Sequence, residues 1–264
     1  MTPPIHLPPL LAERLESYAW TQMTIGKSPA RTFRLERPGL PTLYLKTAKA
    51  SAPGDCLVQE KAVLDWLRGK LPVPEALDWA HEGGEEHLLL SAVPGTDAAT
   101  RALSADVDKA ALARTLGQAL RTLHALPTAD CPFDWRLDAF LEKARRNVHN
   151  GLVDEADFDD DNLGKTAEEV FQEVLRLRPA VEDLVFTHGD YCLPNVILDR
   201  DRVSGFIDLG RAGIGDRYRD NALGIRSLRD NGGQGFEDDF FTGYGLAAPD
   251  WAKIEFFILL DELF

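Results

Sequence analysis

Asp190 and Asn195 stand five residues apart, and Asp208 follows thirteen residues after Asn195. A carboxylate and an amide on one short loop, with a second carboxylate near the next strand, can hold a hydroxyl nucleophile and a magnesium ion. Kinase-type phosphoryl transfer has this requirement: an Asp that orients the attacking hydroxyl, an Asn on one metal and an Asp-x-Gly on the other. Asp190 is therefore the candidate for the group that orients the acceptor and takes its proton, and Asn195 and Asp208 are candidate magnesium ligands, since magnesium prefers a few protein oxygens completed by phosphate oxygens. Taken singly, each also reads as a turn or strand-end cap. His188 reads as a group that shapes the loop through its backbone.

The elements that would position these groups follow from the pattern around them. Short strands Leu184 to Phe186, Val196 to Leu198 and Val203 to Ile207 frame the motif. Far upstream, Leu43-Tyr-Leu-Lys46 alternates as a strand, which puts Tyr44 and Lys46 on one face. Lys46 there can reach nucleotide phosphates, and Glu60, on a helix read over Asp55 to Arg68, can hold it as an ion pair; helix phase must select Glu60 over Gln59 and Lys61, with Val58, Ala62, Leu64 and Leu67 as apolar positions. Gly26-Lys27-Ser28, between two strands, is a glycine loop able to lie over phosphates or a plain hairpin turn.

A short helix from Leu10 to Tyr18, strands over Tyr18 to Thr24, Thr32 to Glu36 and Thr42 to Lys46, and two strands flanking Gly83-Gly84 make a small β-rich lobe over residues 1–95, including the hinge. Pro94-Gly95 breaks the chain. After it, Leu112, Leu116, Leu120 and Leu123 have helical spacing, Phe133 to Val148 and Thr166 to Arg178 read as helices, and helices fill the chain beyond the motif to Phe264. Residues 96–264 form the larger lobe. The expectation is a bilobal α+β enzyme with a cleft between a small β-rich lobe and a larger, mostly helical one.

The 264 residues carry 29 basic and 43 acidic side chains, a net charge of −14. That balance argues against nucleic acid, whose binding needs phosphates neutralised by Lys and Arg; it fits either an ordinary acidic soluble protein or one that attracts a cationic substrate, and charge alone does not choose between them. No apolar run is long enough to span a bilayer, and no signal peptide is read at the N-terminus. Three scattered cysteines, Cys56, Cys131 and Cys192, lack metal spacing and suit a reducing cytoplasm. Oligomeric state is left open.

The stretches His188-Gly-Asp-Tyr-Cys-Leu-Pro-Asn195, Ser204-Gly-Phe-Ile-Asp-Leu-Gly-Arg211 and Asp216-Arg-Tyr-Arg-Asp220 resemble the aminoglycoside 3′-phosphotransferases, the kanamycin kinases. So do Leu43 to Lys46, Trp66 to Pro74 and the ending from Ala248 to Phe264. The resemblance implies a bilobal protein-kinase-like fold, ATP and magnesium as cofactors, and transfer of the γ-phosphoryl group to the 3′-hydroxyl of an aminoglycoside, which inactivates the antibiotic. It implies that Tyr44 stacks on adenine, that the backbone from Ser91 to Val93 pairs with the adenine edge, that Ser28 approaches the β-phosphate, and that Lys46 pairs with Glu60. It also implies that the polycationic acceptor lies among Asp157, Asp160, Asp190, Asp261, Glu262 and the Phe264 carboxylate, with Arg211 nearby. The loop from Asp154 to Asp161 carries Asp where Glu is familiar in the family, and Phe158 where a polar residue is. The rival readings are a kinase of the same fold for choline- or homoserine-like alcohols, and a nucleotide-binding relative without turnover.

Overall fold

The computed structural model describes residues 4–24, 30–50 and 57–264. These divide into two units, one of Met1–Pro94 with Ser204–Gly210, the other of Gly95–Val203 with Arg211–Phe264.

The first unit is built on five strands: β1 (Ala19–Met23), β2 (Arg31–Glu36), β3 (Leu43–Lys49), β4 (Ala76–Glu82) and β5 (Glu85–Ser91), with helices α1 (Pro9–Arg14) and α2 (Leu57–Leu67). The sheet order is β1-β2-β3-β5-β4, antiparallel throughout. Alternation along β2 and β3 sends Phe33, Leu35 and Leu45 to one face, where they form a core with Leu89, Leu11, Leu15 and Tyr18. In α2 the buried positions are Leu57, Glu60, Val63, Leu64 and Leu67, a single stripe at helical spacing. Val58, expected among the apolar positions, is 45% exposed, because the stripe runs through Leu57 and Glu60 instead. The start of α2 is fixed by a carboxylate: Glu86 Oε2 accepts the amides of Leu57 at 2.9 Å and Val58 at 3.3 Å, where helix N–H groups otherwise lack partners.

The second unit holds the strands β6 (Thr96–Asp97), β7 (Leu184–Thr187) and β8 (Val196–Asp199), the start of β9 (Arg202–Phe206), whose last residues count with the first unit, and β10 (Gly213–Asp216). Its helices are α3 (Ala98–Ala102), α4 (Lys109–His124), α5 (Leu137–His149), α6 (Ala167–Leu177), α7 (Arg217–Leu228), α8 (Glu237–Tyr244) and α9 (Trp251–Asp261). One sequence expectation is corrected here, and one unread element is added. Helices do not fill the chain straight after the motif: β10 intervenes, antiparallel to β7. Its Gly-Ile-Gly-Asp sequence has too few side chains to show alternation, and pairing with β7 alone defines it. The two-residue β6 also escaped notice, being too short to leave a pattern. The α4–α8 crossing is close enough that a Cβ on Gly117 would stand 2.0 Å from the Phe240 carbonyl oxygen, and one on Gly243 2.1 Å from that of Arg114, so both positions need glycine. Nearly every position of α7 from Tyr218 to Leu228 is buried; such a helix lies in the middle of its unit, and it carries two charged residues, Arg219 and Asp220, into the interior.

Among the described residues no helix is long and apolar enough to cross a membrane.

Candidate active site

Helix phase selects Glu60. Its side chain is 4% exposed, and both its oxygens take the Lys46 ammonium, at 2.8 and 2.9 Å. Lys46 Nζ also reaches Asp208 Oδ1 at 2.9 Å. Burial pulls the Lys46 pKa down, but the charges of Asp208 and Glu60 outweigh it and leave the ammonium more firmly protonated than usual. The two carboxylates differ in exposure: Asp208 is half-exposed while Glu60 is not. Glu60 is thus the fixed partner of Lys46 and Asp208 the displaceable one. Asp208 lies just past the end of β9, not on it, at φ +60°, a left-handed conformation that non-glycine residues seldom hold and that clusters at functional sites. The segment is secured by Phe206 N–H on the Pro72 carbonyl at 3.0 Å and by Gln59 Nε2 on the Gly210 carbonyl at 3.0 Å.

Tyr44 and Lys46 face the same side of β3, partly buried, while Leu45 points into the core. The Ser91 amide donates to the Glu75 carbonyl at 3.0 Å, and its hydroxyl accepts the Glu75 amide at 2.8 Å. The atom through which Ser91 could serve an adenine edge is therefore its carbonyl. Val93 packs where a Cβ on Gly205 would stand 2.8 Å from it. Ser28, with the rest of its glycine loop, lies outside the described residues.

In the second unit the loop after β7 is held at almost every polar atom. Asp220 accepts the amides of His188 at 2.6 Å and Gly189 at 2.8 Å. His124 Nε2 is 3.0 Å from the same carboxylate, and its Nδ1 2.7 Å from the Tyr244 hydroxyl; since a carboxylate only accepts, Nε2 carries a proton. Burial works against the charge of Asp220, yet the contacts with His124, His188 and Arg219 keep its carboxyl below the usual range. Gly189 sits at φ +85°, and a Cβ there would come within 1.9 Å of the Arg211 carbonyl oxygen; only glycine fits. The His188 ring accepts the Asp190 amide at 3.3 Å, a loop-shaping contact. The Asp190 carboxylate is gripped from both sides: Asn195 Nδ2 donates to Oδ2 at 2.9 Å and to the Asp190 carbonyl at 3.0 Å, while Cys192 Sγ donates to Oδ1 at 3.0 Å. Burial, aided by the Asp190 charge, pushes the Cys192 thiol well up, so it stays a donor.

The donor sets suit a hard cation. Asn195 spends its amide nitrogen on Asp190, which leaves Oδ1 as the atom for a metal, and Asp208 offers a half-exposed carboxylate. Among the described residues no three His, Cys, Asp or Glu side chains form a metal cage; magnesium needs none, because phosphate oxygens and water complete its shell.

The acceptor-side candidates fall into two kinds. Asp157 and Asp160 are exposed on the loop that leads out of a 3-10 turn at Glu155–Asp157. Asp261 is different: its oxygens are taken by Arg211, at 3.1 Å, and Arg226, at 2.5 Å, and against the cost of burial these cations hold its carboxyl below the usual range. It anchors arginines, and its side chain is 12% exposed. Glu262 accepts the Asp159 amide at 3.1 and 3.2 Å; burial, reinforced by the Asp159 charge, pushes its carboxyl up to about 7. Phe264 lies 4.7 Å from the Phe140 ring and beneath the Arg211 guanidinium at 4.9 Å. Phe158 is buried, which explains an apolar residue in an otherwise acidic loop.

Sequence reasoning assigned no role to Asp220, His124, Arg226 or Asp159. Their partners lie 31 to 103 residues away, and no local spacing encodes such pairs. The one available signal was the charged stretch Asp216-Arg-Tyr-Arg-Asp220, singled out by the resemblance but given no role.

Comparison with known proteins identifies the family. The model of the phosphotransferase enzyme family matches residues 21–257. An aminoglycoside 3′-phosphotransferase of Niallia circulans is 40% identical over 257 residues, covering 96% of each chain. The crystal structure of an aminoglycoside 3′-phosphotransferase of type VIII superposes with a TM-score of 0.86 at 34% identity, covering 97% of each chain. A Streptomyces rimosus aminoglycoside phosphotransferase, solved with ADP and streptomycin, gives a TM-score of 0.81 at 30% identity and covers 96% of each chain. The expected α+β kinase-like fold class is borne out by these likenesses. The chain belongs to the phosphotransferase enzyme family and, within it, to the aminoglycoside 3′-phosphotransferases.

Proposed function

We propose that this member of the family uses ATP to phosphorylate an aminoglycoside, at its 3′-hydroxyl, and thereby inactivates the antibiotic. Family membership supports the reaction class, and the names of the relatives support the acceptor and the 3′ position. Within the chain, the observation that carries the reading is the double grip on the Asp190 carboxylate by Asn195 and Cys192, which presets one acid for one proton.

In this reading Asp190 accepts a hydrogen bond from the acceptor hydroxyl, orients its oxygen and takes its proton. The bond from that oxygen to the γ-phosphorus forms as the bond to the β,γ-bridging oxygen breaks, and ADP leaves. Such a transition state is loose, so positioning and charge stabilisation do most of the work. Lys46 holds the α- and β-phosphates. All three of its protons have partners, and in this reading a phosphate oxygen takes over the one on half-exposed Asp208 while Glu60 stays in place. Asn195 and Asp208 would hold magnesium, which would supply positive charge to neutralise the phosphates. Tyr44 covers adenine, the backbone of Ser91 and Val93 meets its edge, and Ser28 approaches the β-phosphate; residues 1–95 thus serve the nucleotide and 96–264 the acceptor. Asp157, Asp160 and Glu262, with the Phe264 carboxylate, attract the drug's ammonium groups, while Asp261 acts through Arg211 and Arg226.

The test is an ATP-consumption assay against kanamycin, neomycin, choline and homoserine, with NMR of the phosphorylated product. Turnover of kanamycin with a 3′-phosphate product is expected. Turnover of choline or homoserine alone would overturn the acceptor reading, and no turnover of any of them would favour the binding-only alternative.

A further inference from the structure

Arg219 heads the fully buried side chains by volume, at 1% exposure. Neither of its hydrogen bonds goes to an acid. Nη2 donates to the Gly189 carbonyl at 2.8 Å and Nη1 to the Arg211 carbonyl at 3.3 Å, while Nε is buried without a hydrogen-bond partner among the described residues. The guanidinium lies against two rings that meet edge to face, 4.5 Å from Trp135 and 4.2 Å from Phe140. Burial, with the Arg211 charge, brings its pKa down to about 9, against the pull of Asp220, Asp261 and Asp190. A cation so placed is expensive, and an apolar side chain against these two rings would serve packing alone as well or better.

Its donors explain it. Asp220, the next residue on α7, takes the two amides that flank the His188–Gly189 turn, and Arg219 takes the carbonyl that follows. That carbonyl belongs to the peptide whose other end is the Asp190 amide, itself held by His188. Rotation of this one peptide would swing the Asp190 side chain, and Arg219 blocks it. The same fork holds the carbonyl of Arg211, whose side chain lies on Phe264, and the Phe140 ring under Arg219 touches Phe264 from another side.

We propose that Arg219 is a positioning residue for phosphoryl transfer: its planar fork, by holding the Gly189 and Arg211 carbonyls together, sets the Asp190 carboxylate in register with the C-terminal Phe264 that seats the acceptor. The inference rests on the reading of Asp190 as the group that receives the acceptor hydroxyl.

The experiment compares Arg219→Met and Arg219→Lys with Asp190→Asn, using kanamycin as acceptor and correcting each kcat for folded protein by circular dichroism. Arg219→Met is expected to lose about 10- to 100-fold in kcat with the ATP KM held within about twofold, the scale on which small misplacements act. Lysine keeps the charge but lacks the rigid planar fork that fits both carbonyls, so Arg219→Lys should still lose about tenfold; it decides the matter if the methionine variant does not fold. A folded Arg219→Lys protein within about twofold of the parent overturns the inference. Combining Arg219→Lys with deletion of Phe264 should lose less than the product of the two single effects; losses that multiply would overturn the link to the terminus. Turnover retained in Asp190→Asn would instead overturn the proposed role of Asp190, whatever Arg219 does.

Discussion

The loop from His188 to Asn195 and the loop from Asp154 to Asp161 both carry acids, and they are built in opposite ways. In the first, the backbone amides and carbonyls are tied to side chains of a buried helix, and the reactive carboxylate is held at both oxygens. In the second, the acids lie at the surface, and the loop is tied down by Phe158 in the core and by the Asp159 amide on Glu262. A group that must take one proton from one oxygen needs a single geometry, whereas acids that attract a flexible polycation act through a field and tolerate several geometries. Damage to the first loop should therefore appear in kcat, and damage to the second in acceptor KM.

The largest effect tests this most directly. Asp190→Asn should lower kcat by about 10²–10⁴-fold while ATP affinity, measured by titration, stays close to the parent's. Near-normal turnover would remove the distinction between the loops. Next, Asp220→Asn weakens the grip from beneath: denaturant unfolding should show a loss of about 1.5–3 kcal/mol, the value of hydrogen bonds to a buried charge, and kcat should fall about tenfold or more. A loss of stability with kcat unchanged would mean that the grip serves folding alone. Asp157→Ala and Asp160→Ala should each raise acceptor KM by a factor of about 1.5–5 at unchanged kcat, the scale of exposed ion pairs, and raising salt should shrink the effect. An effect on kcat would place these acids nearer the chemistry than their exposure indicates.

The smallest effect concerns Glu262. Its folded pKa, about 7, lies above the unfolded value of ~4.3, so between those values the folded state binds more protons and stability falls as pH rises. Thermal melts of Glu262→Gln should lack that decline, gaining on the parent at pH 8 and matching it at low pH. The acceptor KM of the parent should also rise as pH falls through about 7, relative to the variant, because a neutral Glu262 no longer attracts a cation. Parallel profiles in the two proteins would detach Glu262 from both effects.

Much of the frame was legible because it rests on short-range rules. Alternation along Leu43 to Lys46 identified β3 and its polar face, and the leucine spacing from Leu112 identified α4. The glycine-paired hairpin of β4 and β5 was legible for the same reason. The strand β10 was hidden, since two glycines leave no pattern for a reader to find. Glu60 was legible only as one of three neighbours until the buried stripe of α2 chose it.

The sequence alone determined which chemistry is available: Asp190, Asn195 and Asp208 at fixed spacing, a strand lysine with a helix glutamate, and an excess of acid for a cationic ligand. Only the tertiary structure decided how each group is spent. It clamped Asp261 between two arginines while placing Asp157 and Asp160 at the surface, and it brought Asp220 and Arg219 beneath a loop some thirty residues away. The reason is physical. The type of a side chain sets what it can donate or accept, but whether it is charged, exposed or already partnered depends on neighbours that only long-range packing supplies.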